Sequence, residues 1–335
     1  MAQYTLAVIG ATGMVGRKIL QVLEERRLPV KQYYFFASHR SAGTKLRFLG
    51  EEHVVLELNE TCFKGLNIDI ALFSAGATVS GKFAPLAVEA GAAVIDNSSF
   101  WRMDKDIPLV VPEVNPEHLA KYKTKGIIAN PNCSTIQAVV ALKPIADKYG
   151  LKRVIYSTYQ SVSGAGRSGV LDLDEGLRGN PPTKFVYPIA GNCIPHIDSF
   201  LDNGYTKEEQ KLIDETRKIL SLPELPITAT AVRVPVYFSH SESINLELGS
   251  AFNLDELKEL LKRAPGLVVI DDIKANKYPM PIDAEGTDIV YLGRIRRDFS
   301  IENGVNLWCV ADNVRKGAAT NAVQIAEELI RQWQA

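Results

Sequence analysis

The stretch that most restricts the fold lies at the N-terminus. Residues Tyr4 to Ile9 form an apolar run suited to a buried strand, and Gly10-Ala-Thr-Gly13-Met-Val-Gly16 leads directly into Arg17 to Glu24, where Ile19, Leu20, Val22 and Leu23 recur at helical spacing. Three glycines at G-x-x-G-x-x-G let the chain turn tightly and bring its backbone close to a pyrophosphate, which the following helix N-terminus can hold. The spacing is not the commoner G-x-G-x-x-G. It gains weight from the strand before it and the helix after it.

The next strand, Gln32 to Ala37, ends in Ser38-His39-Arg40-Ser41, a stretch without a carboxylate. A site for NAD places an Asp or Glu there for the ribose 2′-hydroxyl. A guanidinium flanked by hydroxyls suits a 2′-phosphate instead, so NADP is expected, with a solvated loop arginine as the plain alternative. Alternation continues through a strand at Asp69 to Phe73, a helix over about Ser80 to Ala90, and strands at Ala93 to Ile95 and Leu109 to Val111. A helix starting near Pro116 precedes the short apolar strand Gly126 to Ala129. This is the pattern of a doubly wound parallel sheet, whose ligands bind beyond the carboxyl ends of the strands. Arg102 follows one such end, where it is either a surface charge or an anion clamp.

Asn130-Pro131-Asn132 then breaks the strand, and Cys133 opens a helical pattern running through Leu142. A thiol at a helix N-terminus meets free N–H groups and the positive end of the macrodipole, which favour the thiolate, a nucleophile for carbonyl carbon. Cys62, Cys193 and Cys309 read as small buried hydrophobes. The four cysteines show no CxxC spacing, so neither a disulfide framework nor a zinc site is expected.

Beyond residue 150 the pattern changes to consecutive alternating strands near Val154 to Val162, Thr228 to Tyr237, Glu242 to Leu248, Ile289 to Arg297 and Val305 to Ala311. These predict an α+β domain on a mixed or antiparallel sheet. Arg233 and His240 are seven residues apart and would face oppositely on an unbroken strand; Pro235 and Ser239 argue for an interruption that lets one site use both. A helix near Gly317 to Gln334 is amphipathic and suited to packing on the first domain. With 38 basic and 39 acidic residues and no apolar run of membrane-spanning length, neither nucleic acid nor a membrane is an expected partner. No signal peptide is evident, which points to the cytoplasm.

Together, Gly10 to Gly16, Asn130 to Thr135, Tyr159 to Gly166, Arg233 with His240, and Asp312 to Ala318 resemble the aspartate-β-semialdehyde dehydrogenases, from the first strand to the last helix. The resemblance implies a Rossmann-like NADP-binding domain at 1–130, completed by the C-terminal helix at 313–335, and a catalytic and dimerisation domain at 131–312. It implies NADPH-dependent conversion of 4-phospho-L-aspartate to L-aspartate 4-semialdehyde and phosphate, in lysine, threonine, methionine and diaminopimelate biosynthesis. By the family's pattern Cys133 would form the acyl-thioester, His240 would act as general acid/base, and Gln160 would orient the acyl group. Arg233 would pair with the substrate α-carboxylate and Glu215 with its amino group, while Arg102 and Lys218 would hold phosphate. Gly10, Thr12, Gly13, Met14, Val15, Ser38, Arg40, Ser41, Ser163, Gly164 and Asn313 would contact NADP. No metal is implied, and a homodimer is expected, with a tetramer possible.

Two departures stand out. Gly191 replaces an aromatic residue common in the family, and the short segment between Lys218 and Arg233 blurs the assignment of Glu215 and Lys218. N-acetyl-γ-glutamyl-phosphate reductase shares the thioester logic and is the nearest alternative enzyme. A non-catalytic homologue is the alternative of another class.

Overall fold

The computed structural model describes residues 3–334. The chain divides into two compact units, Met1–Pro131 with Ala318–Ala335, and Asn132–Gly317.

The first unit holds β1 (Tyr4–Ile9), α1 (Met14–Arg26), β2 (Val30–Ala37), β3 (Lys45–Phe48), β4 (Glu51–Val54), β5 (Leu56–Glu57), β6 (Ile70–Phe73), α2 (Ala77–Glu89), β7 (Ala93–Asp96) and β8 (Ile127–Ala129). Six strands form a parallel sheet in the order β5-β2-β1-β6-β7-β8. β1, β6, β7 and β8 are buried along their whole length, as strands covered on both faces must be. The chain winds from β1 to β2 on one side and returns to β6 on the other, so the sheet reverses direction beside β1, where such a fold opens its ligand crevice. The C-terminal helix Thr320–Gln334 belongs to this unit. Its Ala322, Val323, Ile325, Ala326, Leu329 and Ile330 share one core with α1 and the sheet, and Glu327 pairs with Arg26.

Several sequence expectations shift here. Leu109 to Val111 is not a strand but a single bridge from Leu109 to Ala129, because Pro108 and Pro112 remove the flanking N–H donors. The helix at Pro116 is a 3₁₀ run, Pro116–Thr124, and α2 begins at Ala77. β3 and β4 form a charged hairpin that apolar periodicity could not reveal; its turn uses Leu49 and Gly50, both at positive φ.

The second unit holds α3 (Cys133–Tyr149), β9 (Leu151–Gln160), α4 (Arg167–Leu177), α5 (Lys207–Leu220), β10 (Ile227–Arg233), β11 (His240–Leu248), α6 (Leu254–Arg263), β12 (Leu267–Val269), α7 (Pro281–Ala284), β13 (Val290–Asp298) and β14 (Gly304–Ala311). Its mixed sheet has the order β10-β9-β11-β14-β13-β12. β9 and β10 are parallel, with Gln160 beside Arg233, and β11 is antiparallel to β9. The carboxyl ends of β9 and β10 and the start of β11 therefore share one edge. α3 packs across the sheet and is buried from Ser134 to Leu142. The unit has more helix than the alternating strands implied. Cys309 is buried as expected and Cys62 half-buried, but Cys193 is exposed: it sits in the loop after α4, against no apolar layer. Among the described residues no helix is long and apolar enough to cross a membrane.

Candidate active site

Cys133 is the first residue of α3. Asn132 caps the helix: its side-chain oxygen accepts from the N–H groups of Ser134 and Thr135 at 2.9 and 3.3 Å. Asn132 is itself clamped by two carboxylates of α5. Its backbone N–H donates to Glu215 at 2.6 Å and its side-chain amide to Glu208 at 2.9 Å. The thiol thus sits on a helix end whose position is fixed on both sides.

His240 opens β11, and its Nε2 lies 3.2 Å from Cys133 Sγ. The interruption expected between Arg233 and His240 is the loop 234–239, where Ser239 takes a φ of 70°. Asn313 holds that loop, its Oδ1 accepting from Ser239 N–H at 2.9 Å and from the hydroxyls of Ser161 and Ser163. Ser161 N–H donates to His240 Nδ1 at 3.1 Å. A backbone N–H can only donate, so this network assigns Nδ1 as acceptor and puts the ring proton on Nε2, toward the sulfur. Burial, then the nearby Arg233 charge, hold the imidazole well below its ordinary pKa and so uncharged.

Arg233 closes β10, buried, with Nη1 donating to Ser161 O at 2.6 Å and the Phe185 ring 5.9 Å away. Among the described residues its enclosed Nε meets no hydrogen-bond partner. Gly164 permits this packing: a Cβ there would lie 2.6 Å from Arg233 Nη1 and 3.2 Å from His240 Cε1. Gln160, buried at the end of β9, donates to Glu208 and to Thr158, each at 3.3 Å.

Sequence reading did not single out Glu208, which shares this cluster. Burial works to raise its pKa, but Lys211, Asn132 and Arg233 outweigh that and hold the carboxyl below its ordinary value, so it is ionised. It joins Asn132, Gln160 and Lys211 at 2.9, 3.3 and 3.2 Å. Glu215, which the family resemblance pairs with the substrate amino group, accepts from the Asn132 backbone, and Lys218 lies half-buried in the last turn of α5, two turns beyond Lys211. The available signal was the spacing itself: Glu208-x-x-Lys211 repeats Glu215-x-x-Lys218 on the same helix.

In the first unit the glycine turn has the expected form. A Cβ on Gly10 would lie 2.4 Å from Ser74 O, and one on Gly16 2.0 Å from Gly10 O, so neither of these two positions admits a side chain. Gly13 caps α1 without a side-chain bond, leaving the first-turn N–H groups near Met14 and Val15 for a ligand phosphate. A cavity of about 290 Å³ opens beside Ala11 and Thr12, lined also by Arg17, Lys45 and Arg47. Ser38, Arg40 and Ser41 lie at the end of β2, in and before a 3₁₀ turn, with Arg40 exposed. His39 in that turn contacts Glu57 at 3.2 Å, so a carboxylate stands nearby after all, carried by the neighbouring strand. Arg102 is buried beyond β7, donating to Asn130 O and Asn97 O at 2.9 and 3.1 Å. Among the described residues no cluster of His, Cys, Asp and Glu could hold a metal ion.

Residues 5–122 match the model of the semialdehyde dehydrogenase NAD-binding domain, and residues 142–316 that of the semialdehyde dehydrogenase dimerisation domain. The chain is 56% identical to the aspartate-semialdehyde dehydrogenase of Aquifex aeolicus over 98% of both chains, and 51% identical to that of Campylobacter jejuni over 96% of both. Among solved structures, aspartate semialdehyde dehydrogenase II of Vibrio cholerae complexed with ASA superposes with a TM-score of 0.94 at 48% identity, covering 99% of each chain. The Candida albicans enzyme with NADP gives 0.78 at 28% identity, covering 98% of each.

Proposed function

The chain belongs to the aspartate-semialdehyde dehydrogenase family of oxidoreductases with an NAD(P)-binding domain, and from that premise we propose how its own residues carry the reaction. One observation supports the reading above all others: Cys133 Sγ, on a helix N-terminus, lies 3.2 Å from a buried His240 beside the Arg233 and Glu208 pair. Arg233 and Glu208 offer opposite charges to an α-amino acid. The guanidinium takes the α-carboxylate and the carboxylate takes the ammonium, the part expected of Glu215. Lys211, bonded to Glu208, is the better candidate for the phosphate-binding part given to Lys218.

Cys133 acts as the thiolate, favoured by the helix end and by Arg233. It attacks the acyl phosphate, the C–O bond to phosphate breaks, and an acyl-thioester forms on sulfur. NADPH, when bound, supplies the hydride that reduces this acyl carbon. The resulting oxyanion collapses to the aldehyde by expelling the thiolate. Neither step on sulfur needs a proton; the proton consumed overall ends on the departing phosphate. His240 therefore serves best as a fixed Nε2–H donor to the thiolate and then to the oxyanion, since giving up that proton would leave an imidazolate. Gln160 orients the acyl group from the end of β9. Asn313 and Ser163, whose side chains are bonded within their own cluster, support His240 through Ser239 and Ser161.

We assign NADP as the cofactor, held by the first turn of α1 and, at its 2′-phosphate, by Ser38, Arg40 and Ser41. Met1–Pro131 with Ala318–Ala335 form the nucleotide-binding domain on this reading, and Asn132–Gly317 the catalytic one. The exposed Tyr159 of β9, with the exposed Tyr278 and Met280 of the loop before α7, suits a homodimer contact. Turnover of L-aspartate semialdehyde with NADP that requires phosphate, and fails with N-acetylglutamate semialdehyde, tests the assignment. Turnover of only the acetylated aldehyde overturns it.

A further inference from the structure

One buried carboxyl has no part in the mechanism above. Glu242 lies two residues after His240 on β11 and so projects from the same face of the sheet. It is wholly buried. Its cross-strand neighbours are Thr158 on β9 and Cys309 on β14. Cys309 Sγ reaches Gln137 O at 3.7 Å, so this face of the sheet is the one that α3 covers. The groups the carboxyl meets on α3 are the Ser134 hydroxyl and the Gln137 side chain, the residue after Cys133 and the residue one turn on. Gln137 also donates to the backbone oxygen of His240 at 3.4 Å.

Both Glu242 oxygens, Ser134 Oγ and Gln137 Oε1 are enclosed without a hydrogen bond of ordinary geometry. Buried polar atoms are seldom left unpaired, and the groups that the Glu242 carboxyl faces are the Ser134 hydroxyl and the Gln137 side chain. We propose that Glu242 is a positioning residue for Cys133: its carboxyl ties the strand that carries His240 to the first turn of the helix that carries the nucleophile, and so maintains the separation of sulfur and ring.

The carboxyl does this uncharged. Burial, with the Glu208 carboxylate adding to it, pushes Glu242 well above the carboxylate range. The other titratable groups facing it, Cys309 and Tyr156, are likewise pushed up by burial and stay neutral. A charged Glu242 beneath the first turn of α3 would oppose the thiolate that the helix end favours. A neutral carboxyl supplies one donor and one acceptor at no such cost.

The inference rests on Cys133 and His240 having the roles given above, and the test keeps the two apart. Glu242→Leu and Glu242→Gln are compared with wild type for kcat, KM and the pH profile of Cys133 alkylation by iodoacetamide, and Cys133→Ser is assayed for kcat alone. Glu242→Leu is expected to lower kcat at least tenfold, leave KM within about threefold, and move the alkylation profile to higher pH. Glu242→Gln, a neutral isostere, should recover most of the loss in each. Wild-type kcat and alkylation in folded Glu242→Leu overturn the proposal, as does equal damage from Leu and Gln. Should Glu242→Leu not fold, Gln137→Leu removes the same link from the helix side and is read by the same two outcomes. Activity in Cys133→Ser would instead overturn the thioester reading itself.

Discussion

Replacing Glu208 by Gln tests the substrate site where sequence and structure part. Glu208 is buried and ionised, and it lies with Gln160 and under the influence of Arg233, whereas Glu215 holds the Asn132 backbone. A substrate ammonium about 3 Å from the Glu208 carboxylate gains roughly 5 kcal/mol of gross attraction at an effective dielectric of about 20. Desolvation of both ions removes about half of that, leaving roughly 2–3 kcal/mol, or about 30- to 150-fold. The substitution also disturbs Asn132 and Lys211, so a simple loss of activity would say little. A cycle isolates the pair: kcat/KM is measured with L-aspartate semialdehyde and with succinic semialdehyde, which lacks the amino group, on wild type, Glu208→Gln and Glu215→Gln. The preference for the amino substrate should fall about 30-fold or more in Glu208→Gln and stay within about threefold in Glu215→Gln. An unchanged preference in Glu208→Gln refutes the assignment, and a collapse confined to Glu215→Gln returns the role to the residue named from sequence.

Two further outcomes are expected. Arg40→Ala should weaken NADPH binding by about 10- to 100-fold, the worth of a charge-assisted phosphate contact, while NADH changes less than about twofold; equal losses in titrations of the two would mean that Arg40 does not read the 2′-phosphate. The folded-state pKa of His240 is depressed below its unfolded value of about 6.5, so the folded protein binds fewer protons there. Stability from this residue is fully present above about pH 6.5 and is lost as pH falls below it, by up to ~1.4 kcal/mol per pH unit. Thermal unfolding of wild type and His240→Gln between pH 7.5 and 5 should show the variant losing less stability on acidification; parallel curves would contradict a buried neutral imidazole.

Much of this was legible in the sequence because local chemistry and global fold agreed. The strand before Gly10 and the helix capped by Gly13 fixed each other, and the Asn132 to Cys133 turn could only place the thiol at a helix start. The break between Arg233 and His240 was likewise legible, because Pro235 cannot continue a ladder and Ser239 follows it. What was hidden depended on facing and packing. Glu208 and Glu215 have the same relation to a lysine three residues on, and only tertiary structure tells which meets Gln160 and Arg233. Glu57 comes near His39 through strand pairing, far from the segment where a ribose-binding carboxylate was sought. The tautomer of His240 depends on a backbone N–H from another strand, which no spacing encodes.

The central claim is that Cys133 carries the acyl group, and it is tested most directly without phosphate. Enzyme mixed with L-aspartate semialdehyde and NADP alone should release a single burst of NADPH, about one per subunit, and then stop. Intact-mass and peptide mapping should find an aspartyl group on Cys133, released when phosphate is added. No burst, or an adduct on any other residue, would contradict the account.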